Sequence, residues 1–235
     1  MKIYAYTMVW DTGFAPSVDN NILSLACCKT YLRYKIANEL EHISDEKIYV
    51  IGLCGKTLLK RNKISVSNEY LPVYIAKISD AVKVTEYYSD KKFTNRPDAQ
   101  YIYKNSEWTF KKTNPHHIIS GNKKEQILEN SDNEKDLYYI RGKHHQENYV
   151  LLSEEYLYLG KNIEKIDFPN CIKSIAEKRS KACRSDLSPI ELNDKEIDEF
   201  KSFIAAQKTK YRKQKGNTID KYFIENSCKG ERKCR

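Results

Sequence analysis

The stretch Lys2-Ile3-Tyr4-Ala5-Tyr6-Thr7-Met8-Val9-Trp10, followed at once by Asp11-Thr12-Gly13-Phe14-Ala15-Pro16, decides how the chain is read. Its β-forming residues fall on both sides of a period of two, the pattern of a central or doubly covered strand. Gly13, free to take positive φ, and Pro16, with φ fixed, then end that strand in a tight turn. Working outward, residues 47–53 are a second such run, ended by Gly52 and Gly55, and residues 71–78 are a third. Val82 to Asp90 turns into a short helix carrying Tyr87 and Tyr88. Residues 101–103 and 107–111 read as short strands around a turn at 104–106, and residues 149–152 and 156–159 complete the set. Leu25, Cys28, Leu32, Ile36 and Leu40 recur every three or four residues, the spacing of one helix between Ser24 and Leu40.

Residues 119–136 are polar and read as an exposed loop or insertion. After Phe168 the period becomes helical. Pro169 suits a first helical turn, and Ile172, Ile175, Ala176, Ala182 and Cys183 follow as one face. Asn193 with Glu196 forms a capping box ahead of Ile197, Phe200, Phe203 and Ile204, and that helix runs into Lys208, Lys210, Arg212, Lys213 and Lys215. The fold class is therefore α+β: a strand-rich domain with interposed helices over residues 1–168, and a basic helical extension over residues 169–235.

The 235 residues can bury a real core, and no apolar run approaches the roughly 20 residues of a bilayer crossing. Tyr4 and Tyr6 interrupt the apolar stretch a signal peptide would need, so the N-terminus reads as the first strand of a cytoplasmic protein. Seven cysteines with no Cys-x-x-Cys pair fit neither a disulfide framework nor a ribbon-type zinc site. The net charge of +9 is uneven, with residues 1–170 contributing +2 and residues 171–235 contributing +7. A basic surface attracts phosphates, so a nucleotide or nucleic-acid partner is the natural inference. A lysine-rich composition from an AT-rich genome is the plainer one.

Four segments carry residues fit for chemistry. The turn at 11–16 sets the Asp11 carboxylate and the Phe14 ring where one could accept from a base edge and the other stack on a base. An ordinary strand exit with Phe14 turned inward is the simpler reading. Ser24 to Lys29, then Arg33, bring a hydroxyl, two thiols and two cations together. If a helix begins near Thr30, its N-terminus favours an anion, and Lys29 with Arg33 would clamp a phosphate. A thiolate there would be stabilised too, making Cys27 or Cys28 a nucleophile, against the usual reading of paired helix thiols as packing. Gly52-Leu53-Cys54-Gly55-Lys56 resembles a phosphate-approaching turn without the spacing of a Walker loop. The pairs His116-His117 and His144-His145 read as acid–base candidates or as solvated loop histidines, since neighbours on a strand face opposite ways. No metal site is expected. The glycine fingerprint of a dinucleotide or methyl-donor fold is missing as well, so no cofactor is expected.

Taken together, these segments resemble the nucleotide modification associated domain 2 family of bacteria, archaea and phages, over residues 2 to about 168. Its first motif, Asp-x-Gly-Phe-Ala-Pro, is intact here as Asp11-Thr12-Gly13-Phe14-Ala15-Pro16. The second appears as Ser24-Leu25-Ala26-Cys27-Cys28-Lys29-Thr30-Tyr31-Leu32-Arg33. It keeps the Cys at 28, the Lys and the Arg, with Thr30 in place of a proline. The third survives in part as residues 47–56 and has lost its Gly-Asp turn, so no role for that aspartate carries over. Residues 78–93 and 149–160 look like later family segments. The resemblance implies association with base modification. By fold analogy, a strand-rich domain with interposed helices also looks like the small β-barrels that hold modified bases or RNA in a pocket.

The preferred reading is a nucleotide-binding or modified-base-binding protein tied to nucleic-acid modification. Phe14 stacks, Asp11 meets the base edge, Ser24, Lys29, Arg33 and Lys56 line the phosphate side, and the basic C-terminal helices hold nucleic acid or a partner. The competing reading is an enzyme acting on that base or nucleotide, with Cys28 or a histidine reactive and Asp11 as base. A third is an interaction protein that forms a homodimer through Ile197, Phe200 and Ile204. None of the three has a membrane partner.

Overall fold

Strand β1 (Lys2–Met8) is buried along most of its length, and its side chains alternate between two apolar layers, as a period of two demands. Ile3 and Ala5 join one core, while Tyr4, Tyr6 and Met8 join another. The computed structural model describes residues 1–9, 11, 13, 15–26, 29–42, 46–62, 71–99, 101–110, 148–182, 186–211 and 214–215. Within them β1 is followed by β2 (Ser17–Asp19), β3 (Ile22–Leu25), α1 (Thr30–His42), β4 (Ile48–Cys54) and α2 (Lys56–Asn62). Next come β5 (Pro72–Ile78), β6 (Asp80–Lys83), α3 (Val84–Tyr87), α4 (Lys91–Thr94), β7 (Tyr101–Lys104) and β8 (Glu107–Phe110). The described chain closes with β9 (Tyr149–Ser153), β10 (Glu155–Tyr158), a 3₁₀ helix (Gly160–Lys165), α5 (Asn170–Lys181), α6 (Asp194–Tyr211) and β11 (Gln214–Lys215).

The main sheet has the order β1-β4-β5-β10-β11, with β1 parallel to β4 and β10 parallel to β11. A second, antiparallel sheet has the order β2-β3-β9-β6. β5 runs through Ser79 into β6, and β9 runs through Glu154 into β10, so one antiparallel pair bends from sheet to sheet without changing register. Lys77 faces Glu155 on one side of the corner and Asp80 faces Leu152 on the other. Between the two sheets lies the tyrosine-rich core of Tyr4, Tyr6, Tyr74, Tyr156 and Tyr158, with Leu32 and Ile36 of α1. The opposite face of the main sheet packs Ile3, Ile51, Ile75 and Leu157 against Ile172 and Ile175 of α5 and Phe200 and Phe203 of α6. A third cluster joins Tyr87, Tyr88, Phe93 and Tyr101 beneath the β7–β8 hairpin. The architecture is α+β.

Local chemistry explains the turns. Asn20 and Asn21 take φ of 47° and 62°, and Asn105 and Ser106 take 52° and 63°, the left-handed pair a two-residue hairpin requires. At α6 the Asn193 side chain accepts from the Glu196 N–H while Glu196 accepts from the Asn193 N–H, a reciprocal capping box.

Several expectations are corrected. The described sheets are open and close into no barrel; the outer edge of β1 instead receives the Ile190 N–H on the Ile3 carbonyl at 2.7 Å. Leu25 belongs to β3, so the helix read from Ser24 begins only at Thr30. The short strands at 17–19, 22–25 and 80–83 add to those read from the sequence. The face expected to form a dimer is used within the chain: Phe200 is fully buried edge-on against Tyr49 at 5.1 Å, and Ile204 packs on the same core. α5, which starts just beyond residue 168, shares its core with β1. Residues 119–136, both histidine pairs and residues 216–235 lie outside the described residues.

The sheet's tightest point is Gly52. A Cβ there would overlap the Tyr74 ring and sit 2.5 Å from the Met8 Sδ. Gly52→Ala is expected to lower stability by about 1–3 kcal/mol, read as a shift of the denaturation midpoint at unchanged slope in urea.

Candidate functional site

Because β1 and β4 are parallel, their carboxyl ends meet at one edge of the main sheet, where β10 also ends and β5 begins. Open sheets containing parallel strands take ligands at such an edge, where the loops leaving the strands converge. The last full row there is Tyr6, Gly52, Tyr74 and Tyr158, paired one to the next across four strands. The Tyr74 ring leans over Gly52 and donates its hydroxyl proton to the Tyr6 oxygen at 2.9 Å, with the two rings 6.2 Å apart and nearly edge-on. Burial, reinforced by Tyr6, pushes the Tyr74 phenol well above its ordinary value.

Three of the expected residues converge on this edge. Asp11, only 1% exposed, accepts from the Tyr158 hydroxyl at 2.7 Å. The segment leaving β1 therefore reaches across to β10, three strands away. Lys29 stands just before α1 with φ of 52°, a left-handed conformation that is uncommon for a residue with a Cβ, and its ammonium lies 5.0 Å from the centre of the Tyr6 ring. The first turn of α1 carries no acid to oppose an incoming anion. Lys56 is exposed at the start of α2, where the preceding Gly55 N–H donates to the Met8 carbonyl at 3.1 Å and ties that turn to the end of β1.

Two others lie elsewhere. Arg33 is 1% exposed and points inward, donating to the Tyr149 carbonyl, so it fastens α1 to β9 and is separate from Lys29. The spacing of the two cations was right for one clamp, but Lys29 precedes the helix and Arg33 falls on its buried side. Ser24 is fully buried in a brace behind the β2–β3 hairpin. Its hydroxyl donates to Asp98 at 2.5 Å and accepts from Arg96 at 2.8 Å. Arg96 also reaches the carbonyls of Ser17, Asp19 and Ile22 at 3.3, 2.8 and 3.1 Å, and Tyr87 donates to Asp98 at 2.9 Å. Burial raises the Asp98 pKa while Arg96, 3.4 Å away, opposes the rise. Phe14, Cys27 and Cys28 lie outside the described residues.

The sequence did not single out Tyr6, Tyr74, Tyr158, Arg96 or Asp98. Tyrosine occurs 18 times, so no one of them stands out, and their partners are distant along the chain. Of the cysteines, Cys54 and Cys171 are buried and in no disulfide, and burial, with Glu199 adding to it, pushes Cys171 up to about 12, far from a reactive thiolate. No group of three or more metal-ligating His, Cys, Asp or Glu side chains occurs among the described residues, and none of their helices is long and apolar enough to cross a membrane.

A family model described as nucleotide modification associated domain 2 matches residues 1–221, which includes both sheets, α5 and α6. No curated protein and no solved structure matches the chain.

Replacing Arg33 by Ala removes a buried charged donor and leaves the Tyr149 carbonyl short of a partner. The expected loss is about 2–3 kcal/mol, seen as a fall of roughly 5–10 °C in the thermal midpoint. An unchanged midpoint would contradict the inward placement. Tyr4, Tyr74 and Tyr87 are held protonated above the ordinary phenol value by burial first of all. An unfolded chain ionises its tyrosines near pH 10, so this contribution to stability is complete below that pH and lost as pH rises beyond it. Tyrosinate absorbance should thus rise in two stages, the later one coinciding with loss of circular dichroism. One smooth titration of all tyrosines in the folded protein would refute it.

Proposed function

Because the chain belongs to the nucleotide modification associated domain 2 family, we propose that the edge formed by Tyr6, Gly52, Tyr74 and Tyr158 is a nucleotide or modified-base site serving nucleic-acid modification. One observation carries the reading: Lys29 is exposed in a left-handed conformation ahead of α1, its ammonium over the Tyr6 ring. A cation at a helix start, above an aromatic surface, suits a phosphate with a base beside it. In this reading Lys29 meets the phosphate and Lys56 supports it from the next turn. Asp11 accepts from the donor edge of the base while Tyr158 fixes the orientation of the carboxylate. Phe14, on the segment between Asp11 and Pro16, supplies the stacking ring. Ser24 and Arg33 act at one remove, by fastening the β2–β3 hairpin and α1.

The partner is then a nucleotide or a nucleic acid, with the positive charge of residues 171–235 adding long-range attraction. A second reading, an enzyme acting on the bound nucleotide, is favoured by the 2.7 Å contact between the Tyr158 hydroxyl and Asp11, a proton donor held on a carboxylate. Its reactive thiol would be Cys28.

Lys29→Ala is the direct test of the binding reading. Calorimetric affinity for nucleoside monophosphates should fall about tenfold, with the slope of log affinity against log salt reduced by about one and thermal stability unchanged. Equal affinity of the two proteins at every salt concentration would overturn the reading.

A further inference from the structure

Three large apolar side chains are exposed among the described residues, and two of them lie at one end of the fold: Tyr31, 65% exposed, and Val9, 47% exposed. The third, Ile102 at 37%, is on the β7–β8 hairpin. Val9 is the first residue beyond β1, and Tyr31 is on the first turn of α1, two residues past Lys29. The inner side of α1 is filled by Leu32, Arg33, Ile36 and Ala37, so the Tyr31 ring is on the outer side and takes no part in the core. An isolated exposed ring needs no explanation. This one shares a short loop-to-helix segment with the cation at the Tyr6 ring, on a chain of net charge +9.

An exposed cation with an outward-facing ring two residues away matches the chemistry of a single-stranded polynucleotide. In a duplex each base face is already covered by its neighbours, whereas a single strand offers bare faces that stack on tyrosine without regard to sequence. A lone nucleotide would need the cation and the inner site but not a second ring outside it. We infer that the site takes its nucleotide as part of a single strand, with the flanking base stacked on Tyr31 and the intervening phosphate at Lys29. This rests on the nucleotide reading of the same edge.

The full chain would be titrated by fluorescence anisotropy with labelled single-stranded DNA and RNA of about ten nucleotides and with a duplex of the same sequence, and by calorimetry with a nucleoside monophosphate. One of the single strands should bind at least tenfold more tightly than the monophosphate and the duplex. Tyr31→Ala should weaken that strand about tenfold while affinity for the monophosphate is kept, and Tyr31→Phe should restore strand binding because the ring does the stacking. Monophosphate binding with no gain for either strand, a tighter duplex, or strand binding indifferent to Tyr31→Ala would each overturn the inference and leave the nucleotide site standing. If neither monophosphate nor strand binds, the nucleotide reading itself falls.

Discussion

The hydrogen bond from Tyr74 to Tyr6 exists only because Gly52, on the strand between them, has no side chain. A β-strand normally separates the residues on either side of it by its own side chains, and in this row the middle position is vacant space into which an aromatic ring has been laid. The ring fills the volume, its hydroxyl reaches the neighbouring phenol, and Tyr6 in turn offers its face to Lys29. On the far side of Tyr74, Tyr158 points its hydroxyl at Asp11. Remove the gap and the row loses its continuity, and the cation and the carboxylate lose the common floor that relates them.

That floor is held from two directions. The main sheet positions Tyr6, Tyr74 and Tyr158 through its register, and the second sheet positions the loops above them through the β2–β3 hairpin. Arg96 does for that hairpin what a neighbouring strand would do elsewhere. Its planar group donates to carbonyls on both strands, so an edge that would otherwise expose acceptors is closed by a side chain. The segment from Asp11 leads into β2 and the segment to Lys29 leaves β3 at the same open end of the hairpin, so one buried brace fixes the start of one and the end of the other.

Much of the frame was legible in the sequence because long strands and long helices declare their periods. β1, β4 and β5 were read within two residues of their ends, and the Asn193–Glu196 box located the start of α6 from four letters. The stretch from Ser17 to Leu25 was not, since Leu25, Cys28 and Leu32 fit a helical spacing although a strand ends and a helix begins between them. Arg33 shows a different limit. Spacing says that a residue shares a helix with another and is silent on which side the core will occupy, so a buried anchor looked like half of an exposed clamp. Asp11 and Lys29 were recognisable from their turns, but the tyrosines that relate them come from strands far apart in the chain and carry no local signature.

The reach from Asp11 to Tyr158 spans 147 positions of sequence. A polypeptide emerging from the ribosome presents its amino-terminal loops long before β10 has been made, and the brace from Arg96 must come first for the hairpin to hold. The edge that carries Tyr6, Gly52, Tyr74 and Tyr158 is therefore complete only once β10 has been made. A nascent chain carries Asp11 and Lys29 from early on, but the hydrogen bond that ties Asp11 to the sheet forms only once the strand bearing Tyr158 has been added and docked.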